Sequence, residues 1–131
     1  MRYFKFEKLV RDKILPQMQQ NQHVVRGVKK LNDSEFINEL IKKILEEAHE
    51  MANVSSKEDL KNELADVYET LDYLKTALSI SNEELELKKK QKSDKNGGFN
   101  DRIYIVDVGV DEDNQWIKYY CDNPKKYPEV K

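Results

Sequence analysis

Cysteine occurs once, at Cys121, so these residues hold no internal disulfide, and one thiol with two histidines offers no zinc-binding spacing. Glycine (4) and proline (3) are scarce, which excludes a collagen-like or low-complexity chain and leaves few enforced turns. No apolar run approaches the roughly 20 residues that span a bilayer. The first ten residues scatter charges among apolar side chains, unlike the continuous apolar stretch of a secretory signal. A soluble protein in a reducing, cytoplasmic setting is therefore expected. Basic and acidic residues nearly cancel, 23 against 25, for a net charge of −2. Without a positive excess there is no field to hold a nucleic-acid polymer. Neither such a polymer nor a membrane is an expected partner.

What the chain does have is charge in quantity: 37% of residues are charged, against 38% hydrophobic. One domain over 1–131 is expected, with a core segment at 8–106 and a C-terminal extension at 107–131. A chain of this size buries only about two-thirds of its surface on folding, so its core is lean and self-association is a natural way to extend it.

The apolar spacing predicts a mainly α fold. Residues 9–20 read as a helix interrupted early by Pro16. Asn32 followed by Glu35 is a capping-box pattern, and apolar residues at 36, 37, 40, 41, 44, 45, 48, 51 and 52 predict a helix to about Asn53 with one wide buried face. Ser55 or Ser56 caps the next helix, which carries apolar residues at 60, 64, 67, 71, 74 and 78. A third, heavily charged helix is expected from Ser81 to about Lys92, and Asn96-Gly97-Gly98 is a turn. The β-branched residues of 23–28 and the partial alternation of 103–110 suggest a short β-ribbon beside an antiparallel helical bundle.

The informative segment is Glu46-Glu47-Ala48-His49-Glu50, followed after a spacer by Glu63-Leu64-Ala65-Asp66. Residues three apart share a helix face, so Glu47/Glu50 and Glu63/Asp66 are two carboxylate pairs. At roughly 100° per residue, Glu47 falls inside the arc of Phe36, Leu40, Ile44 and Met51, and Glu50 just past its edge. Glu46 and His49 point away. Glu63 sits beside Leu60, Val67 and Leu74, and Asp66 further round with Thr70, Tyr73 and Ala77. Acids at the border of a buried face are costly unless paired, and clustered carboxylates repel unless a cation neutralises them. Oxygen ligands without His or Cys point to Mg²⁺ or Mn²⁺. The competing reading is an ordinary solvated acidic face. Asp111 to Gln115 begins like an EF-hand loop, but Trp116 stands where the required glycine belongs, so that reading is rejected.

Three segments in order resemble the MazG-like, all-α nucleoside triphosphate pyrophosphohydrolases, related to phosphoribosyl-ATP pyrophosphohydrolase and dimeric dUTPases. The acidic signature stands at Glu46, Glu47, Glu50, Glu63 and Asp66. Lys8-Leu-Val-Arg11-Asp12-Lys13-Ile14 and Gly97-Gly98-Phe99-Asn-Asp-Arg102-Ile103 are similar to segments of the small single-domain members. The resemblance implies Mg²⁺ on Glu47, Glu50, Glu63 and Asp66, and hydrolysis of a nucleotide substrate to a monophosphate and pyrophosphate. It implies catalytic roles for Glu46, Glu47 and Glu50, one of which would orient the attacking water. Arg11, Lys13, Lys95 and Arg102 would then meet substrate phosphates, since Arg suits bidentate phosphate contact. A homodimer or homotetramer is expected. Two alternatives stay open: a non-catalytic helical module that binds a nucleotide or partner, and a phosphoribosyl-ATP pyrophosphohydrolase of histidine biosynthesis.

Overall fold

The computed structural model describes residues 1–131 and contains five helices and no strand. These are α1 (Ile14–Gln20), α2 (Asp33–Asn53), α3 (Lys57–Ala77), α4 (Asn82–Asn96) and α5 (Ile117–Asp122). The chain divides into two compact units, Met1–Gln91 and Lys92–Lys131. No helix is long and apolar enough to cross a membrane.

Local chemistry sets the ends of the long helices. Asn32 caps α2 in a full capping box: its side chain accepts from the Glu35 amide at 2.9 Å, and Glu35 Oε1 accepts in return from the Asn32 amide. Ser56 accepts from the Asp59 amide at 3.1 Å and starts α3, with Glu58 and Asp59 favourably placed in its first turn. Ser81 and Glu84 exchange the same reciprocal pair of bonds at the head of α4. The end of α3 is a Schellman motif, in which the Ile80 amide donates to the Lys75 carbonyl and the Ser79 amide to that of Thr76. This places Ser79 at φ +54, a position that favours glycine.

Within the first unit, α2 and α3 are the helices that pack together, joined by the short link 54–56 as an antiparallel hairpin. Leu40 (3% exposed) and Glu47 (6% exposed) are the buried residues of the seam. The apolar arc of α2 spans nearly half its circumference, and one partner helix covers only half of that arc. Ile41 and Leu45 lie on the uncovered half and are exposed. On α3, Val67 and Leu74 are half-buried toward α2, whereas Leu60, Leu64 and Leu71 form a stripe open to solvent.

Two expectations from sequence are corrected. The first helix starts at Ile14 rather than near Leu9, because a helix running through from Leu9 would put Pro16 in its interior. There the ring would clash with the carbonyl four residues back; in the first turn it displaces no hydrogen bond. The β-ribbon at 23–28 and 103–110 does not form. Val24, Val28, Ile105 and Val106 are exposed, and Gly27 at φ +97 breaks the first segment. β-Branched residues favour a strand only where a neighbouring strand accepts its backbone bonds, and neither segment has one. In the second unit, Gly97 at φ +79 ends α4, as its dipeptide suggested, while α5 was not foreseen. Trp116, Tyr119, Tyr120 and Tyr127 form a chain of tilted and edge-on ring contacts around α5.

Two substitutions are expected to move stability in opposite directions. Asn32→Ala removes the capping box and should cost about 1 kcal/mol. Ser79→Gly relieves the left-handed backbone and should stabilise by about 0.5–1 kcal/mol. Urea unfolding followed by circular dichroism measures both, and a loss of stability in Ser79→Gly would show that the serine is not strained.

Candidate metal centre

Glu47 and Glu50 are one turn apart on α2, and Glu63 lies on the face of α3 turned toward them. The two helices run antiparallel from a three-residue link, so positions equally far from the link meet across the seam. The result is a cluster in which carboxylate oxygens of Glu47, Glu50 and Glu63 all lie within 4.8 Å of one another. Glu47 is buried, Glu63 half-buried and Glu50 exposed, which makes the cluster a graded path from seam to solvent.

Two oxygens of this cluster, Glu47 Oε2 and Glu63 Oε2, are buried and have no hydrogen-bond partner. Buried carboxylate oxygens are ordinarily satisfied, because leaving one without a donor costs more than a typical hydrogen bond returns. The nearest cation to Glu47 is Lys43, whose Nζ is 3.9 Å from Oε1, beyond hydrogen-bond reach. The Glu63 carboxyl is pushed above its ordinary value, first by the adjoining Glu47 carboxyl and then by desolvation, with Glu50 partly relieving it. That of Glu50 is raised first by the charge of Glu63 and then by desolvation.

The donor set fits a hard divalent cation. Mg²⁺ binds oxygen at about 2.1 Å, so its ligand oxygens lie no more than about 4.2 Å apart. Oxygens that already lie within 4.8 Å of one another are close to that spacing.

Glu46 and Asp66 stand outside this group of three. Glu46 is half-buried and is held by cations. Lys8 Nζ donates to its Oε1 at 3.2 Å, and Lys43 lies 3.8 Å from its Oε2. Asp66 accepts from Arg11 Nη2 at 2.7 Å, and the other Arg11 terminal nitrogen pairs with Glu69. The bond to Asp66 is the largest influence raising the Arg11 pKa. Arg11 and Lys8 thus strap the N-terminal segment across both helices. Lys13 is exposed at the start of α1. Lys95 lies in the last turn of α4, and Arg102 closes a turn with its amide donating to the Phe99 carbonyl; both belong to the second unit. The acid cluster is built entirely within the first. The His49 side chain is exposed and outside the cluster. Glu69 and Lys43 were not singled out from sequence, although each sits at helical spacing from a signature acid, Glu69 three residues after Asp66 and Lys43 four before Glu47.

Compared with known proteins, the chain has no significant match to any family model, curated protein or solved structure.

The raised carboxyls give a pH dependence of definite sign. Without divalent cations, the folded state retains protons on Glu50 and Glu63 that the unfolded chain releases from about pH 4.5 upward. Their contribution is therefore fullest below that pH and is lost as pH rises through the folded values. Glu35, whose carboxyl is lowered chiefly by Lys29, acts oppositely and below pH 4.5. In chelator the melting temperature should rise as the pH is lowered from neutrality toward about 4.5. Glu63→Gln should flatten that rise, and an equal slope in both proteins would refute the assignment.

Proposed function

We propose that this chain is a divalent-cation-dependent nucleotide pyrophosphohydrolase, cleaving a nucleoside triphosphate or related nucleotide to the monophosphate and pyrophosphate. The observation that carries the reading is the pair of buried, partnerless oxygens on Glu47 and Glu63 inside a three-carboxylate cluster. A merely solvated acidic face would not bury them. The resemblance of the acidic signature and its two flanking segments to the MazG-like enzymes supplies the reaction class.

Glu47, Glu50 and Glu63 would hold Mg²⁺ or Mn²⁺, with Asp66 available one turn along α3. Bound there, the cation would supply charge neutralisation and Lewis-acid polarisation of phosphate oxygens. The protein's own groups account for the rest. Water reaches Glu50 directly from solvent, and a glutamate of the 46/47/50 set accepts a hydrogen bond from the attacking water and takes its proton. The water oxygen bonds to phosphorus, the phosphoanhydride bond breaks, and pyrophosphate leaves with the electron pair. Arg11, which pairs with Asp66 one turn from Glu63 on α3, is suited to a leaving phosphate, and Lys13 is a further candidate.

A panel of nucleoside triphosphates together with phosphoribosyl-ATP, each with chelator or Mg²⁺, tests the proposal by pyrophosphate release. Turnover should require the cation. Glu47→Gln and Glu63→Gln should reduce it about 100-fold or more with helical circular dichroism intact, and His49→Ala should keep most of it. Turnover in excess chelator, or an active Glu63→Gln, would overturn the assignment. Binding without turnover would favour the non-catalytic module.

The uncovered stripes of α2 and α3 support self-association as well. Ile41, Leu45, Leu60, Leu64 and Leu71 are large apolar residues left exposed on the two helices, and apolar surface gathered into a patch marks an association site. Two hairpins joined along these stripes make a four-helix bundle, the arrangement expected of a homodimer or of half a homotetramer. Light scattering after size exclusion should show at least a dimer of the 15.5 kDa chain. A fully active monomer at micromolar concentration would refute it.

A further inference from the structure

Asp66 belongs with Glu63 by spacing, yet it is engaged elsewhere. It lies one turn along α3, and its charge adds to the difficulty of ionising Glu63, so it is electrically part of the same neighbourhood. Its carboxylate is nevertheless taken by Arg11, through the 2.7 Å bond from Nη2 to Oδ1, and Glu69 binds the other arm of the guanidinium. Next to this satisfied acid, Glu47 is more than nine-tenths buried with Oε2 unpartnered. The acids at the rim have cations and the centre has none within hydrogen-bond reach.

We propose that Arg11 is a positioning residue that competes with the divalent cation for Asp66. This inference rests on the cation reading of the Glu47, Glu50 and Glu63 cluster. In the cation-free protein the guanidinium holds Asp66 at the rim and offsets part of the clustered negative charge. When a cation seats on the three glutamates, Asp66 turns inward as a fourth oxygen ligand and Arg11 lets go. The two states exclude each other because a carboxylate oxygen cannot serve both at once. The exchange is energetically modest: the Arg11 side chain is 56% exposed, and exposed ion pairs are weak. By linkage, whatever Arg11 takes from the cation's affinity, the cation takes from the Arg11–Asp66 bond. Lys8 makes a useful contrast, since it pairs with Glu46 and touches no member of the cluster.

Mn²⁺ binding to the full chain, read by electron paramagnetic resonance without nucleotide, tests this in a double-mutant cycle. Arg11→Ala should tighten Mn²⁺ binding by about three- to fivefold, the range set by an exposed ion pair. In an Asp66→Asn background the same substitution should change binding less than about twofold. Lys8→Ala should also have the smaller effect, which separates competition for Asp66 from general charge removal. In the unsubstituted protein, Mg²⁺ should shift the Arg11 guanidinium nitrogen resonances, so the claim stays testable if Arg11→Ala fails to fold. An unchanged affinity in Arg11→Ala, or an equal gain with Asp66→Asn, overturns the competition while wild-type binding leaves the cation reading standing. Mn²⁺ binding that Glu47→Gln does not weaken, or no binding at all, overturns the cation reading and the competition with it.

Discussion

The carboxylate of Glu47 on the seam between α2 and α3 is the constraint around which this structure is arranged. A charge moved from water into a protein seam is costly unless it finds a counter-charge and hydrogen bonds. Here it finds a second glutamate across the seam, a third one turn on, and a lysine near only one of its oxygens. The hairpin that Leu40 helps to close thus encloses an unfavourable charge about two turns further along α2. Such a conflict between local chemistry and burial is tolerated chiefly where a site requires it.

The surrounding charges show how selectively this conflict is left in place. Glu46 has Lys8 and Lys43; Asp66 and Glu69 share Arg11; Glu35 has Lys29; Glu39 has Lys42. Ion pairs this exposed contribute roughly 0–1 kcal/mol each, so they are not what holds the fold together. Their effect is on arrangement. The pairs made by Lys8 and Arg11 fix an otherwise irregular N-terminal segment to both long helices, beside the three acids. A uniformly solvated acidic surface would carry no such distinction between neutralised rim and bare centre.

Much of this was legible in the sequence because it depends on residues near one another in the chain. The Asn32–Glu35 box, the Ser56 cap and the apolar spacing are local signals, and both long helices follow them closely. The wheel position of Glu47 likewise anticipated its burial. The engagement of Asp66 by Arg11 joins residues 55 apart, and no periodicity encodes it. The expected ribbon failed for a related reason: the β-branched residues at 23–28 state a preference, whereas a strand needs a pairing that lies outside the segment. The late start of α1 was readable, since Pro16 excludes a helix passing through it, but the apolar pattern before it suggested otherwise.

The lean seam and the acid cluster bear on one another. Most helix stability in proteins comes from packing an apolar face, and a single hairpin packs only half of what α2 and α3 present. Covering the stripes of Ile41, Leu45, Leu60, Leu64 and Leu71 would add the missing apolar burial. It would also lower the local dielectric around the neighbouring carboxylates. In a drier seam the mutual repulsion of Glu47, Glu50 and Glu63 grows, and so does the attraction of all three for a divalent cation. Tighter packing therefore makes the metal-free cluster harder to maintain and the cation-bound cluster easier. Assembly and cation binding would on this basis reinforce each other, with Glu47 as the residue through which they are coupled.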